Sequence, residues 1–283
     1  MRIKPDYRRL PFAGDGLSRA ATIALVILIV LGALEPILPF GDTREIGVGP
    51  RLSGPAAGWL LGTDALGRSM LPRILEGILF TFLLSTGAVA VAGVIGAVVG
   101  MAAGYFGRAF DEVVARVADM MFSFPPVLLG LLVTAIIGPG ILSAMVAIFF
   151  VSLPAMIRVV RVAVLDLVPR DFVVIAEVSG ASLARKLFVH LLPNVAGVIA
   201  VQAAYSISLG MLLESALSFL GLGVQPPSAS LGSLLREGST YLAYAPWLVF
   251  APGVVLAISI LSVNLFGDGL RGLVDPLEPR NLI

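Results

Sequence analysis

The sequence predicts an all-α integral membrane protein with six transmembrane helices and both termini on the cytoplasmic side. Three observations carry this. The 283 residues are 58% hydrophobic and only 13% charged, with a mean hydropathy of +1.00, outside the range of soluble domains. Six apolar segments alternate with polar or Gly/Pro-rich ones. Lysine and arginine are concentrated in alternate connections.

The basic stretch 1–19, with Arg2, Lys4, Arg8, Arg9 and Arg19, precedes a first span over 20–40. It is not a cleaved signal, because no small-x-small site follows and the chain stays hydrophobic. Residues 41–76 form an external loop in which Leu66, Met70, Leu71, Ile74 and Leu75 have helical apolar spacing, predicting a helix along the membrane surface.

The second span, 77–105, carries Ala92, Gly96, Gly100 and Gly104 at four-residue steps. Such a row lets another helix approach closely or lines a permeation surface. A charged amphipathic stretch, 107–119, leads to a third span over 124–137. Gly138-Pro139-Gly140 turns the chain into a fourth over 141–157.

Residues 158–194 are a basic interlude. Asp171 is placed to cap a short helix through Val178, Gly180 to stop it in the left-handed conformation, and Ser182 to cap a second helix ending before Pro193. The first helix carries Phe172, Val173, Val174, Ile175, Ala176 and Val178, and must bury that surface on the membrane or in a partner's groove.

A fifth span, 195–213, places Gln202, Tyr205 and Ser206 on part of one face, for interhelical hydrogen bonding or as the lining of a translocation path. Residues 214–245 form a second external segment of short helices, turns or a re-entrant piece. A last span, 246–266, precedes a tail with Asp268, Arg271, Asp275, Glu278 and Arg280. With the N-terminus inside, the cytoplasmic side also receives Arg108, Arg116, Arg158, Arg161, Arg170, Arg185, Lys186, Arg271 and Arg280, and the outside only Arg44, Arg51, Arg68, Arg73 and Arg236.

Several chemistries are excluded by residue type. There is no cysteine and only one histidine, His190, so no metal site is expected. The two lysines, Lys4 and Lys186, do not follow glycine, so no P-loop exists and ATP, if used, is bound by another chain. No G-x-S-x-G elbow is present. The acidic residues fall at span ends or in loops, which disfavours the alternative of an ion-coupled secondary transporter.

Four blocks, WLLGTDALGR, GYFGRAFDEVVARVADMMFSFP, ESALSFLGLGVQPP and NLFGDGLRGLVDP, lie between Trp59 and Pro276. Together with Gly180-Ala181-Ser182 and His190-Leu191-Leu192-Pro193-Asn194, they make the chain resemble the inner-membrane permease subunits of binding-protein-dependent ABC importers, in the dipeptide, oligopeptide and nickel branch. The resemblance implies a five-helix permease core, 77–283, preceded by one extra helix. It implies a second permease, two cytoplasmic ATPase subunits holding ATP and Mg, an extracytoplasmic substrate-binding protein and a bacterial inner-membrane location. No cofactor on this chain and no nucleic acid are implied. Its coupling loop maps onto Asp171, Phe172, Val174, Ile175, Ala176, Glu177, Gly180, Ala181, Ser182 and Pro193. Glu214, Ser218, Phe219 and Gln225 become candidates for an external gate or binding-protein contact. The chain departs from the family pattern at Val174-Ile175-Ala176, where Glu-Ala-Ala is usual, with Glu177 three residues late. It also has Ser69 where an acid is common and Leu231 where tryptophan is expected.

Overall fold

A computed structural model describes residues 16–39 and 42–274. The described residues are helical, with two isolated β-bridges in the loop before the second helix. The N-terminal arginines before Gly16, the Phe40 end of the first span and the charged residues after Val274 lie outside the described residues.

Helix α1, Gly16–Leu34, continues through a 3-10 turn at Glu35–Ile37, where Pro36 removes an amide donor. Helix α2, Met70–Phe106, has 37 residues and is therefore about 55 Å long. This corrects the expected surface helix before 77. Leu66 sits in the preceding loop, whereas Met70, Ile74 and Leu75 are buried in the first turns of α2. Gly77, the expected start of the second span, lies inside α2 and serves close approach. A Cβ there would lie 3.2 Å from the Leu231 amide nitrogen.

The glycine row of α2 faces helix α5, Ile141–Leu167. A Cβ at Gly100 would lie 2.7 Å from the Ile157 carbonyl oxygen, and one at Gly104 2.8 Å from that of Arg161. Of the two readings of this row, the packing one holds. The fourth span is longer than expected, running past 157 through Arg158 and Arg161 to Leu167 with Pro154 inside.

The third span is shorter than a bilayer. Helix α4, Pro126–Ile137, has 12 residues, about 18 Å against the roughly 30 Å of hydrocarbon. It is joined through Ser123–Pro125 to the amphipathic α3, Arg108–Phe122, with an 88° bend. Among the described residues, five helices are long and apolar enough to cross a membrane, and six if this bent pair counts as one span.

Short helices α6, Asp171–Val178, and α7, Leu183–Arg185, follow α5. A π-helical stretch, Lys186–Leu191, connects α7 to α8, Leu192–Phe219, so helix runs unbroken from Leu183. The expected stop before Pro193 is therefore wrong. The Leu192 amide bonds the Leu187 carbonyl five residues back, and this wider turn, with Pro193 in the first turn of α8, absorbs the missing donor. Helix α9, Leu231–Ser239, is capped by Ser230, whose hydroxyl accepts from the Ser233 amide while the Ser233 hydroxyl accepts from that of Ser230. Helix α10, Trp247–Val274, ends the described chain and takes in Asp268 and Arg271, which the sequence assigned to a tail.

Four buried apolar clusters fill the bundle, the smallest around Leu25, Met211 and Val263. One joins the start of α2 to α9 and α10 around Ile74, Leu231 and Leu248. A second lies among α2, α5 and α8 around Val89, Ile148 and Leu213. A third, around Met101, Val160, Leu191 and Val195, takes in Val173 of α6.

Candidate coupling site and transmembrane polar groups

Helix α6 is an eight-residue hook below the bundle. Arg170, not Asp171, occupies the N-cap position and makes no side-chain cap bond, so Asp171 is the first helical residue, where its charge suits the helix dipole. Val173 belongs to the third core cluster and is only 1% exposed, and Ala176 is buried beside it on the same helix. Phe172, Val174, Ile175 and Val178 point away, with Ile175 63% and Val178 84% exposed. An 8-residue helix is too short to be stable alone, so its form depends on those two inward contacts and on its ends.

The C-terminal end is well made. Gly180 has φ +73°, its amide bonds the Glu177 carbonyl at 3.0 Å, and the Ala181 amide bonds that of Ala176 at 3.0 Å. This pair of bonds is a Schellman motif, and the left-handed residue at its centre favours glycine. Ser182 then accepts the Arg185 amide at 3.4 Å, starting the next helix. Pro193, the last expected coupling residue, is exposed at the start of α8. His190 has a backbone role, its carbonyl accepting the Asn194 side chain at 2.6 Å.

Glu177 turns back toward the bundle. Its Oε1 accepts from the Tyr105 hydroxyl at 3.4 Å and lies 3.6 Å from Lys186 Nζ, which itself bonds the Tyr105 hydroxyl. Next to this cluster, α3 is tied to α5 by Arg161 with Asp111, and by Arg158 with Asp119 at 2.5 Å.

The three candidate path residues of α8 do not form one open polar strip. Gln202 Nε2 donates to Ser206 Oγ one turn on at 3.2 Å, and Ser206 is buried. The Tyr205 hydroxyl instead reaches α10 and donates to Asp268 at 2.5 Å.

At the opposite end, Glu214 and Ser218 belong to α8 and are buried, Glu214 at 0% exposure, which corrects the expectation of a contact surface there. The Glu214 carboxylate accepts Thr81 Oγ1 of α2 at 2.9 Å and Ser218 Oγ at 2.6 Å. Thr81 in turn accepts the Leu231 amide at 3.3 Å, and Ser218 accepts the Val224 amide at 3.0 Å. One carboxylate thus fastens α2, α8, the turn after α8 and the start of α9. Phe219 and Gln225 remain exposed, Gln225 donating to the carbonyls of Gly221 and Gly223.

Sequence reasoning missed a second anchor at this end. Arg73, 2% exposed, donates to Asp64 at 2.7 Å and to both oxygens of Glu237 at 2.8 and 3.1 Å. Arg68 also donates to Asp64 at 2.6 Å. A cleft of about 440 Å³ opens beside this quartet, lined by residues including Met70, Leu234, Tyr241 and Leu248.

The described chain thus presents a short, largely apolar hook at one end of long helices, with glycines letting α2 and α5 touch. Residues 96–277 match the family described as "Binding-protein-dependent transport system inner membrane component". The chain belongs to this family. It is a multi-pass protein of the bacterial inner membrane. The permease is 38% identical over 261 residues to the di/tripeptide transport system permease protein DppC of Pseudomonas aeruginosa, covering 90% of this chain and 86% of that one. It is 34% identical over 268 residues to the dipeptide transport system permease protein DppC of Haemophilus influenzae, covering 92% and 91%. Among solved structures, the permease matches a chain from inward-facing crystals of the MetNI methionine ABC transporter. The TM-score is 0.56 at 19% identity, over 72% of this chain and 97% of that one, a likeness of fold.

Proposed function

We propose that this permease is the peptide-translocating membrane subunit of an ATP-driven importer, with α6 as the helix that receives work from a cytoplasmic ATPase. The observation that carries the reading is the outward apolar face of α6, Phe172, Val174, Ile175 and Val178, on a helix held by Val173 and Ala176. Each such side chain contributes about 1.5–3 kcal/mol when fully covered, so a groove that covers this face gains affinity without a carboxylate contact. Position 174, which the resemblance aligns with the usual glutamate of the coupling loop, is valine here.

In this reading the chain is not catalytic. ATP and Mg are held by two ATPase subunits, a second permease completes the path, and a binding protein delivers the solute. Peptides are the favoured solute because the similar permeases named above are di/tripeptide and dipeptide systems. Both termini and α6 lie in the cytoplasm, as the arginine distribution favours. Phe219 and Gln225 then face the outside as the remaining gate or binding-protein candidates, while Gln202, Tyr205 and Ser206 reach the path only if their present bonds exchange.

The test is co-purification of a tagged permease expressed with the ATPase, permease and binding-protein genes of its own operon. The wild type brings the ATPase subunits with it, and Ile175→Asp loses them while still inserting into the membrane. Full retention of the ATPases by Ile175→Asp overturns the assignment of α6.

A further inference from the structure

Glu177 is the one acidic residue on α6 after its first turn, and the resemblance noted in the sequence places it in the coupling loop. Its surroundings point elsewhere. The side chain is turned toward Tyr105, in the last turn of α2, and Lys186, the first residue of the π-helical stretch. Lys186 is 12% exposed although it is a lysine at the end of a helix bundle, and its ammonium is shared between the Tyr105 hydroxyl and the Glu177 carboxylate. Three separate elements, α2, α6 and the helix leading into α8, therefore meet in one polar cluster. Elsewhere, the side chains that tie α6 to the bundle are the small and medium apolar Val173 and Ala176, which fix its depth but do little to fix its rotation about their contact.

We infer that Tyr105, Lys186 and Glu177 form an internal latch that sets the angle of α6 against α2 and α8, so that force on α6 moves the ends of these two helices with it. Glu177 is on this account a positioning residue and not a docking contact. The chemistry suits the task. An ammonium with three donors can hold a phenol and a carboxylate at once, and with Lys186 12% and Glu177 62% exposed the pair is a weak one that biases the angle of α6. The inference rests on α6 being the docking helix, but it concerns contacts within this chain and can be measured separately.

The protein has no native cysteine, so a spin-label pair at Ser179→Cys, in the exposed cap of α6, and Val94→Cys, on an exposed face of α2, attached to the purified permease before assembly, reports the α6 angle in the importer in nanodiscs. Both positions lie outside the latch. A latched α6 gives one narrow distance distribution. Lys186→Met is expected to raise the displaced population by about two- to five-fold, the shift a partly exposed ion pair supports. Lys186→Arg is expected to restore the narrow distribution. The swap Glu177→Lys with Lys186→Glu is expected to be narrower than either single change. The amount of ATPase co-purified is expected to stay at the wild-type level in Glu177→Gln. An unchanged distribution in Lys186→Met overturns the latch, as does a loss of ATPase from Glu177→Gln with the distribution unchanged. Failure of the docking reading shows differently, as retention of ATPase by Ile175→Asp.

Discussion

Replacing Gly180 by valine tests whether the bend after α6 transmits work, and the structure sets the size of the effect. A Cβ at this position would meet nothing within 4 Å, so the penalty is conformational and not a clash. At φ +73° an L-residue costs about 1–2 kcal/mol, with a β-branched one at the upper end. Should the backbone escape by moving to φ below zero, the two 3.0 Å bonds of the Schellman motif are lost, about 0.5–1.5 kcal/mol each. Both routes cost less than the burial that holds the transmembrane bundle. Valine is therefore expected to leave membrane insertion and yield unchanged while misplacing α6, with uptake falling about tenfold, the equivalent of 1.4 kcal/mol. Asparagine tolerates the left-handed region, so Gly180→Asn is expected to keep most activity. The assay is solute uptake and ATPase stimulation by the binding protein in proteoliposomes containing the whole importer. Wild-type uptake together with wild-type stimulation in Gly180→Val would refute the reasoning.

Other substitutions probe other parts of the same scheme. Val174→Asp removes about 1.5–3 kcal/mol of covered apolar surface and is expected to cut ATPase co-purification by at least about tenfold; retention of the ATPase at the wild-type level argues for a membrane-lying α6. Glu214→Ala leaves the hydroxyls of Thr81 and Ser218 without their buried acceptor, about 1–3 kcal/mol each, and is expected to lower the melting temperature of the purified complex, with Glu214→Gln milder. Gly100→Leu forces side-chain atoms against the Ile157 carbonyl and is expected to reduce folded yield sharply, whereas the same change at the open Gly16 is expected to be neutral. Reporter fusions after Arg185 and after Ser233 are expected to be active on the cytoplasmic and external sides respectively, and the reverse pattern discards the proposed orientation.

What the sequence discloses here is what local chemistry decides. Gly180 is legible because few residues accept a positive φ, and the glycine row of α2 is legible because close packing of helices in lipid demands small residues. The errors occur where one residue type has two uses. Pro193 usually ends a helix, yet in the first turn of α8, after a π-helical stretch, it costs no bond that was there to lose. Gly77 stands at the expected start of a span, and the structure makes it a point of close contact within α2. Glu214 is expected from sequence to open the external segment, as a gate or binding-protein candidate, and instead lies buried within α8. Its main donor from another helix, Thr81, is 133 residues earlier, and Arg73 finds Glu237 164 residues later. No local pattern encodes pairings of that range.

The two ends of the bundle differ in how firmly they are tied, and this difference bears on mechanism. At the α9 end, α2 is held by a buried arginine between two carboxylates and by the Glu214 hydrogen bonds, groups whose loss of a partner costs several kcal/mol. At the α6 end, α2 and the helix entering α8 meet α6 through the buried Val173 and Ala176 and one polar cluster in which the Glu177 side chain is 62% exposed, so the polar part of this contact is weak. Between the ends, α2 runs about 55 Å without interruption, while its glycines keep it in backbone contact with α5. A rod fixed at one end and loosely latched at the other pivots as a unit, so a displacement of α6 by a partner is expected to appear as a tilt of α2 with α5, and not as a local melting of α6. Hydrogen exchange distinguishes the two. A tilt leaves the amides of 171–178 as protected in the nucleotide-bound importer as in the free one, and a rise in their exchange would place the motion in α6 itself.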